Sequence, residues 1–310
     1  MTSPTAIAGP VRVRAAGKIN LALKVGPVGD DGYHPLATVF QAVSLVDEVT
    51  VTPAEPGRFD ITVAGEQSAS VPWDDRNLAV RGARLLAERY GEPAELGASI
   101  AIRKAIPVAG GMAGGSADAA AAMLACSVLW DLDVGPGELG DLAGEIGADV
   151  PFALLGQTAL GTRHGDRLVP VLSRGTYHWV LAFADFELPT PAVFRRFDEL
   201  TAGREVEQPA VPDGLLEALA AGDPAALARC IENDLQEPAV AMRPHLERVL
   251  AAGDELGALA SVVSGSGPTC AFLAASEAAA LDISVELSAT GLCRAVKRVC
   301  GPVPGARLVV

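Results

Sequence analysis

The chain has 310 residues, half of them hydrophobic but only 5% aromatic, and a formal net charge of −14. That length supports one large or two ordinary domains, with cores built mainly from Ala, Val and Leu. The acidic balance argues against a nucleic-acid or anionic-membrane surface, which needs clustered Lys and Arg, though not against a phosphorylated substrate held by a few local cations.

Residues 1–9 read as a loose tail. Val11 to Val28 alternates as two strands around Ala16-Gly17-Lys18, and Val39 to Val51 and Phe59 to Val63 give further strands separated by Pro53, Pro56 and Gly57. Leu78 to Tyr90 carries leucines on one side and arginines on the other, the pattern of an amphipathic helix. Ser99 to Ile106 is a strand delivering the chain to Pro107-Val108-Ala109-Gly110-Gly111-Met112-Ala113-Gly114-Gly115-Ser116-Ala117-Asp118. The alanines that follow read as the first turns of a helix, with Ser116 or Asp118 able to cap it. Glu138 to Ile146 is a helix stopped by Gly147, and Ala159 to Pro170 and Trp179 to Phe183 are strands. Leu215 to Ala221, Pro224 to Ile231 and Ala239 to Ala252 read as helices. Ser261 to Ser264 is a strand running into Gly265-Ser266-Gly267-Pro268, and Ala271 to Leu273 returns from that turn. A helix starts at Glu277, and Cys293 to Val299 is a closing strand. Runs of antiparallel-looking strands with helices between them predict an α+β protein in two lobes, divided near residues 160–180.

Cys126, Cys230, Cys270, Cys293 and Cys300 are odd in number and lack CxxC spacing, so reduced thiols in a cytoplasmic protein are expected rather than a disulfide framework or zinc site. No histidine pair has HxxxH spacing. No apolar run reaches membrane-span length, and the first residues lack a signal-peptide plan.

The glycine-rich stretch carries most of the chemistry. Four glycines and two alanines leave consecutive backbone N–H groups uncovered, and the helix mouth adds its orphan donors and dipole, so the segment is a phosphate site by geometry. It is not a Walker loop, since no Gly-Lys-Ser/Thr follows, nor a dinucleotide fingerprint. Other places are ambiguous when taken singly. Lys18 and Asn20 sit at the start of a strand, where a lysine is usually solvated. Tyr33-His34 follows a turn and reads as surface decoration. Asp149 lies after a helix end and before Val150-Pro151, which predicts extended backbone there and a carboxylate held at a cleft or in a turn. Glu145, four residues earlier, ranks below it. Ser264 to Cys270 is a glycine-rich strand-to-turn element that alone is no more than a tight hairpin.

Taken in order, Gly17-Lys18-Ile19-Asn20-Leu21 with Gly32-Tyr33-His34, the Pro–Gly–Ser loop, Gly147-Ala148-Asp149-Val150-Pro151-Phe152, Pro189-Thr190-Pro191 with Phe194, and Ser264-Gly265-Ser266-Gly267 resemble the GHMP kinases over roughly residues 11–300. Departures are small: Met112 stands where leucine is usual, Ala109 and Ala113 replace glycines, Ala117 replaces a serine, and Asp118 takes an Asn-or-Asp position. The resemblance implies a two-lobed GHMP kinase fold, an N-terminal lobe like domain 2 of ribosomal protein S5 over residues 10–170 and a ferredoxin-like C-terminal lobe over 171–305. It implies Asp149 as catalytic base with Lys18 as its cationic partner. ATP would be held by residues 107–118 with Asn77 and Lys104 beside the nucleotide, and Mg²⁺ would touch Ser116. Asn20, Tyr33, His34, Thr190, Pro191, Phe194, Gly265 and Ser266 would hold the second substrate, 4-CDP-2-C-methyl-D-erythritol, an isoprenoid precursor phosphorylated on its 2-hydroxyl. A homoserine or sugar kinase is the alternative, and a non-catalytic nucleotide-binding protein on the same fold a remoter one. Neither nucleic acid nor membrane is an expected partner, and the enzyme would be a monomer or homodimer.

Overall fold

The computed structural model describes residues 9–91 and 96–309, so almost all of the expected loose tail lies outside the described residues. The first half runs β1 (Val11–Val25), β2 (Leu36–Pro53), β3 (Phe59–Gly65), α1 (Leu78–Tyr90), β4 (Ala98–Lys104), α2 (Gly114–Leu129), α3 (Pro136–Ile146), α4 (Val150–Leu155), β5 (Thr158–Arg163) and β6 (Arg167–Pro170). The second half runs β7 (Tyr177–Phe183), α5 (Thr190–Thr201), α6 (Leu215–Ala221), α7 (Pro224–Ala228), β8 (Glu232–Asn233), α8 (Gln236–Met242), α9 (His245–Glu255), β9 (Ala260–Val263), β10 (Cys270–Ala274), α10 (Glu277–Ala289), β11 (Ala295–Gly301) and β12 (Arg307–Leu308).

Two sheets organise these elements. The first has the path β12-β1-β2-β4-β3, extended by β5 and β6 beside β2 and by β8 beside β1. The expected pair of strands at residues 11–28 is one continuous strand. Register shifts between Ala16 and Gly17 and between Asn20 and Ala22 let it bend without ending, and they bracket Lys18 and Asn20. Most ladders are antiparallel, but β3–β4 and β1–β8 are parallel. α2 runs through the core of this lobe and is buried over most of its surface, which its run of alanines allows. It approaches α1 closely: a Cβ on Gly82 would stand 2.7 Å from the Met123 side chain.

The second sheet has the order β11-β7-β10-β9 with every pair antiparallel. Counted from β7 this is the 4-1-3-2 order of a ferredoxin-like unit. Side chains alternate along β7: Trp179, Leu181 and Phe183 pack into the core shared with the first lobe, while Val180 and Ala182 pack under α8–α10. The two lobes therefore share buried apolar surface. The chain crosses from the first sheet to the second between β6 and β7, and β8 and β12 reach back to β1.

Several local expectations are corrected. The helix expected over Ala239–Ala252 is two helices, since Pro244 forces Arg243 out of helical geometry. Val150-Pro151 opens α4 instead of extending the backbone, because proline is accepted in a first turn where its missing N–H has no partner to lose. The same rule explains α5, which begins at Thr190-Pro191 and is absent from the pattern-based reading. α2 has no side-chain cap: Ala113, at φ 58°, precedes it, and neither Ser116 nor Asp118 caps it.

Candidate active site

A cleft of about 1110 Å³ opens between the lobes. Its walls include Lys18 and Asn20 from β1, the turn Gly32–His34, the glycine-rich loop, Asp149, the start of α5, and Gly265-Ser266.

Within the loop, Ala109, Gly110, Gly111, Ala113, Gly114, Gly115 and Ser116 face the cleft. Ala109, Gly111 and Ala113 have φ of 51°, 74° and 58°. Left-handed backbone is free of strain for glycine and costs alanine about 1 kcal/mol, so the two alanines stand where glycine is the easier residue. The loop is tied down on its outer side. Val108 N–H donates to Gln67 Oε1 at 2.9 Å, Lys18 N–H to the Met112 carbonyl at 3.1 Å, and the Ser264 hydroxyl to the Gly111 carbonyl at 3.2 Å. Met112 and Ala117 are fully buried, and Pro107 packs behind Gly110. With no side-chain cap on α2, its first-turn N–H groups stay free for an anion.

Lys104, Asp118 and Asn77 are not among the residues that line the cleft. Lys104 is buried behind the loop, its Nζ 2.5 Å from Asp47 and 2.7 Å from Asp118. Asp47 also accepts from the backbone N–H groups of Ala105 and Ile106, which fixes the strand end that leads into the loop. Burial opposes the charged form of Lys104, but the two carboxylates outweigh it and hold the ammonium above the ordinary lysine range. Burial drives the Asp118 carboxyl well above the usual carboxylate range, and Lys104 offsets only part of this. Asn77 caps α1 through Ala79 N–H and donates to the Pro72 carbonyl. Lys104→Met is expected to lower stability by about 3–5 kcal/mol, because it leaves two buried carboxylates without their cation. Urea unfolding checks this, and an unchanged midpoint would show that the cluster is not holding the loop.

Beside the loop, Lys18 is almost fully enclosed. Its Nζ donates to Asn20 Oδ1 at 2.9 Å, Asn20 donates to Thr38 Oγ1 at 2.8 Å, and Thr38 donates to the Ala22 carbonyl. Asp149 faces this ammonium at 4.0 Å, with its side chain a third exposed to the cleft. Burial lowers the Lys18 pKa and the Asp149 charge opposes the shift. Gly265 comes within reach of Lys18: a Cβ there would stand 3.2 Å from Nζ, at a residue with φ 58°. Asn233 Nδ2 fixes that turn by donating to the carbonyls of Val263 and Gly265. Glu145 pairs with Arg89 at the surface and does not line the cleft.

At the far end His34 stacks on Phe194, ring centroids 5.5 Å apart and 24° from parallel, and meets Phe197 edge-on. Tyr33 is 66% exposed and leans on His164 at 5.2 Å. The Thr190 and Ser266 hydroxyls share a 2.8 Å hydrogen bond, which joins α5 to the turn after β9. Pro191 lines the same wall. The sequence reading missed Thr38, His164, Asp166, Arg195 and Asp198, all in or touching this site. Arg195 and Asp198 were discoverable, since they continue the α5 face that begins with Pro191 and Phe194. His164 had no local signal.

Two family descriptions match the chain: GHMP kinases N terminal domain over residues 77–157, and GHMP kinases C terminal over residues 215–292. The fold and cleft thus define a small-molecule kinase of the GHMP class. Relatives named 4-diphosphocytidyl-2-C-methyl-D-erythritol kinase are 52% identical in Rhodococcus jostii, covering 97% of this chain and 95% of that protein, and 54% identical in Mycobacterium tuberculosis, covering 97% and 93%. A crystal structure described as 4-(cytidine 5'-diphospho)-2C-methyl-D-erythritol kinase is 32% identical with a TM-score of 0.73, over 93% of this chain and 98% of that one. A homoserine kinase from Cytophaga hutchinsonii shares the fold at 18% identity and a TM-score of 0.75. The chain belongs to the family of 4-diphosphocytidyl-2-C-methyl-D-erythritol kinases.

Proposed function

We propose that this enzyme transfers the γ-phosphoryl group of ATP to the 2-hydroxyl of 4-CDP-2-C-methyl-D-erythritol, giving the 2-phosphate and ADP in non-mevalonate isoprenoid precursor biosynthesis in the cytoplasm. The observation that carries this reading is the arrangement of one cleft. A glycine loop and an uncapped helix mouth form part of its wall, Lys18 beside the loop faces Asp149, and His34 stacks on Phe194.

Each part supports a named task. The loop residues 109–111 and 113–116 offer backbone donors that cradle the nucleotide phosphates. Asp149 accepts the proton of the attacking hydroxyl, and Lys18, anchored through Asn20 and Thr38, balances the charge that develops beside it. The cleft positions two substrates in line, which is most of what phosphoryl transfer requires. Mg²⁺ would supply positive charge to neutralise the nucleotide phosphates. The Ser116 hydroxyl on the cleft wall fits it, and among the described residues no group of three His, Cys, Asp or Glu forms a dedicated cage, as suits a metal carried mainly by substrate phosphates.

The aromatic end separates this substrate from homoserine or a simple sugar, neither of which has a base to stack. Phe194→Ala is expected to raise KM for the cytidylated substrate roughly ten- to a hundred-fold and leave KM for ATP nearly unchanged. A coupled assay with ATP, Mg²⁺ and a panel of alcohols tests the assignment directly. Comparable turnover of homoserine or uncytidylated methylerythritol would overturn it.

A further inference from the structure

Arg294, just before β11, is held on its own lobe by three contacts. Its backbone N–H donates to the Phe183 carbonyl at 2.8 Å, its Nε donates to the Ala184 carbonyl at 3.3 Å, and its guanidinium carbon lies 5.9 Å from the centre of the Phe183 ring. From there Nη1 reaches the first lobe and pairs with Glu66 Oε1, the two side chains being 27% and 32% exposed. Glu66 follows β3, and its own N–H donates to the Lys104 carbonyl at 3.3 Å, at the end of β4. Gly65 permits that approach: its φ is 99°, and a Cβ there would stand 2.4 Å from the same carbonyl. Gln67 has φ 55°, a left-handed conformation that a non-glycine residue keeps where its surroundings hold it. So placed, Gln67 Oε1 accepts from Val108 N–H at 2.9 Å, at the entry of the glycine-rich loop. Neither Arg294 nor Glu66 is among the described residues that line the cleft.

We propose that Arg294 is a positioning residue for the nucleotide: paired with Glu66 across the lobes, it holds Gln67 against Val108 and so fixes the entry of the phosphate loop. The inference rests on the reading above that this loop cradles the phosphates of ATP. The segment leading into the loop is tied from two directions. Asp47, in the first lobe, accepts from the N–H groups of Ala105 and Ile106. Glu66 and Gln67 hold the Lys104 carbonyl and Val108 N–H, and through Arg294 they bring in the second lobe. The second lobe thus grips the loop twice, at Gly111 directly through the Ser264 hydroxyl and at Val108 through the relay. A cradle of backbone donors binds phosphate well only while its N–H groups converge, so a small displacement of its entry lowers affinity without removing any contact to ATP. The guanidinium suits this task because its planar fork serves Glu66 and the Ala184 carbonyl together while its face rests on Phe183. A lysine ammonium lacks that fork. Arg294 acts on the nucleotide side alone, so its loss should fall on ATP and spare the second substrate.

The experiment compares wild type, Arg294→Ala, Arg294→Lys, Glu66→Gln and the double variant Arg294→Ala/Glu66→Gln. Titration calorimetry measures binding of ATP with Mg²⁺, steady-state assays measure KM for each substrate, and thermal unfolding checks each fold. Arg294→Ala is expected to weaken ATP binding roughly three- to thirty-fold, while KM for the cytidylated substrate moves less than about threefold. Arg294→Lys should recover only part of the loss. Because the pair acts as one relay, the double variant should bind ATP within about twofold of the weaker single variant. Unchanged ATP affinity in folded Arg294→Ala, whatever its unfolding temperature, overturns the proposal, since the pair then only joins the lobes. Equal losses for both substrates overturn it as well, and so do losses that multiply in the double variant. If Arg294→Ala does not fold, Glu66→Gln, which keeps the side chain's shape, decides by the same criteria. Gly115→Val tests the reading beneath. ATP affinity retained there overturns the phosphate cradle, whereas affinity lost there and kept in Arg294→Ala overturns the role of Arg294 alone.

Discussion

Asp149→Asn is expected to lower kcat by about two to four orders of magnitude while ATP still binds. The amide keeps the shape of the side chain, and it removes the group we propose takes the hydroxyl proton. Lys18→Met is expected to fall steeply as well, since the ammonium lies 4.0 Å from Asp149 and hydrogen-bonds Asn20. The two act as a unit, so the double variant should lose less than the sum of the single losses in free energy. Single-turnover kinetics with calorimetric ATP binding checks both. Near-normal turnover in Asp149→Asn would transfer the proton-accepting role elsewhere. A pH dependence follows from the same geometry. Burial lowers the Lys18 pKa, so the ammonium is lost at a pH below the ordinary lysine range. Turnover should therefore decline on the alkaline side, and the groups facing Lys18 there are Asp149, Asn20 and the Phe40 ring. Stability follows the same sign: what the charged Lys18 withholds is greatest below its folded pKa and disappears above the unfolded one.

Gly115→Val is expected to reduce ATP affinity by at least an order of magnitude in a folded protein. A Cβ at Gly115 meets only Leu78 Cδ1, at 3.7 Å, so the branched side chain is accommodated by the protein and intrudes on the cleft the residue lines. Gly111→Val is a different experiment. Gly111 has φ 74°, and a Cβ there would stand 2.0 Å from the Ser264 carbonyl and 3.0 Å from that of Gly267. That change forces the loop away from the turn after β9, so nucleotide binding and thermal stability are expected to fall together. Retained ATP affinity in folded Gly115→Val would show that the loop is structural and does not cradle phosphate. The contrast between the two variants separates the cradle from the contact that closes the lobes over it.

Much of the site was legible because its signals are local. A phosphate loop needs uncovered backbone followed by a helix, and both requirements are written in consecutive residues from Pro107 to Ala122. Helix α1 could be read from its amphipathic spacing, and the two-lobed α+β architecture from the run of strands and helices. The ambiguous residues Lys18, Asp149 and His34 gained meaning only from the order of motifs along the chain.

What the tertiary structure decided was contact between residues far apart in sequence. The resemblance assigned Lys104 and Asp118 to the nucleotide site, and only the structure shows that Asp47, 57 residues before Lys104, gathers them into a buried cluster behind the loop. β1 looked broken at Gly17, yet its pairing with β2 carries it through two bulges. Val150-Pro151 looked like extended backbone and no helix was read at Thr190-Pro191, yet each proline sits in the first turn of a helix, where its missing N–H does no harm. Asp198 shares the helical spacing of Pro191 and Phe194, but only the formed α5 brings it to 3.1 Å from His34 Nε2, 164 residues earlier in the chain. Local backbone chemistry is set by neighbours in sequence. Charge pairing, burial and the choice of which polar group faces a ligand depend on which distant elements the shared core brings together.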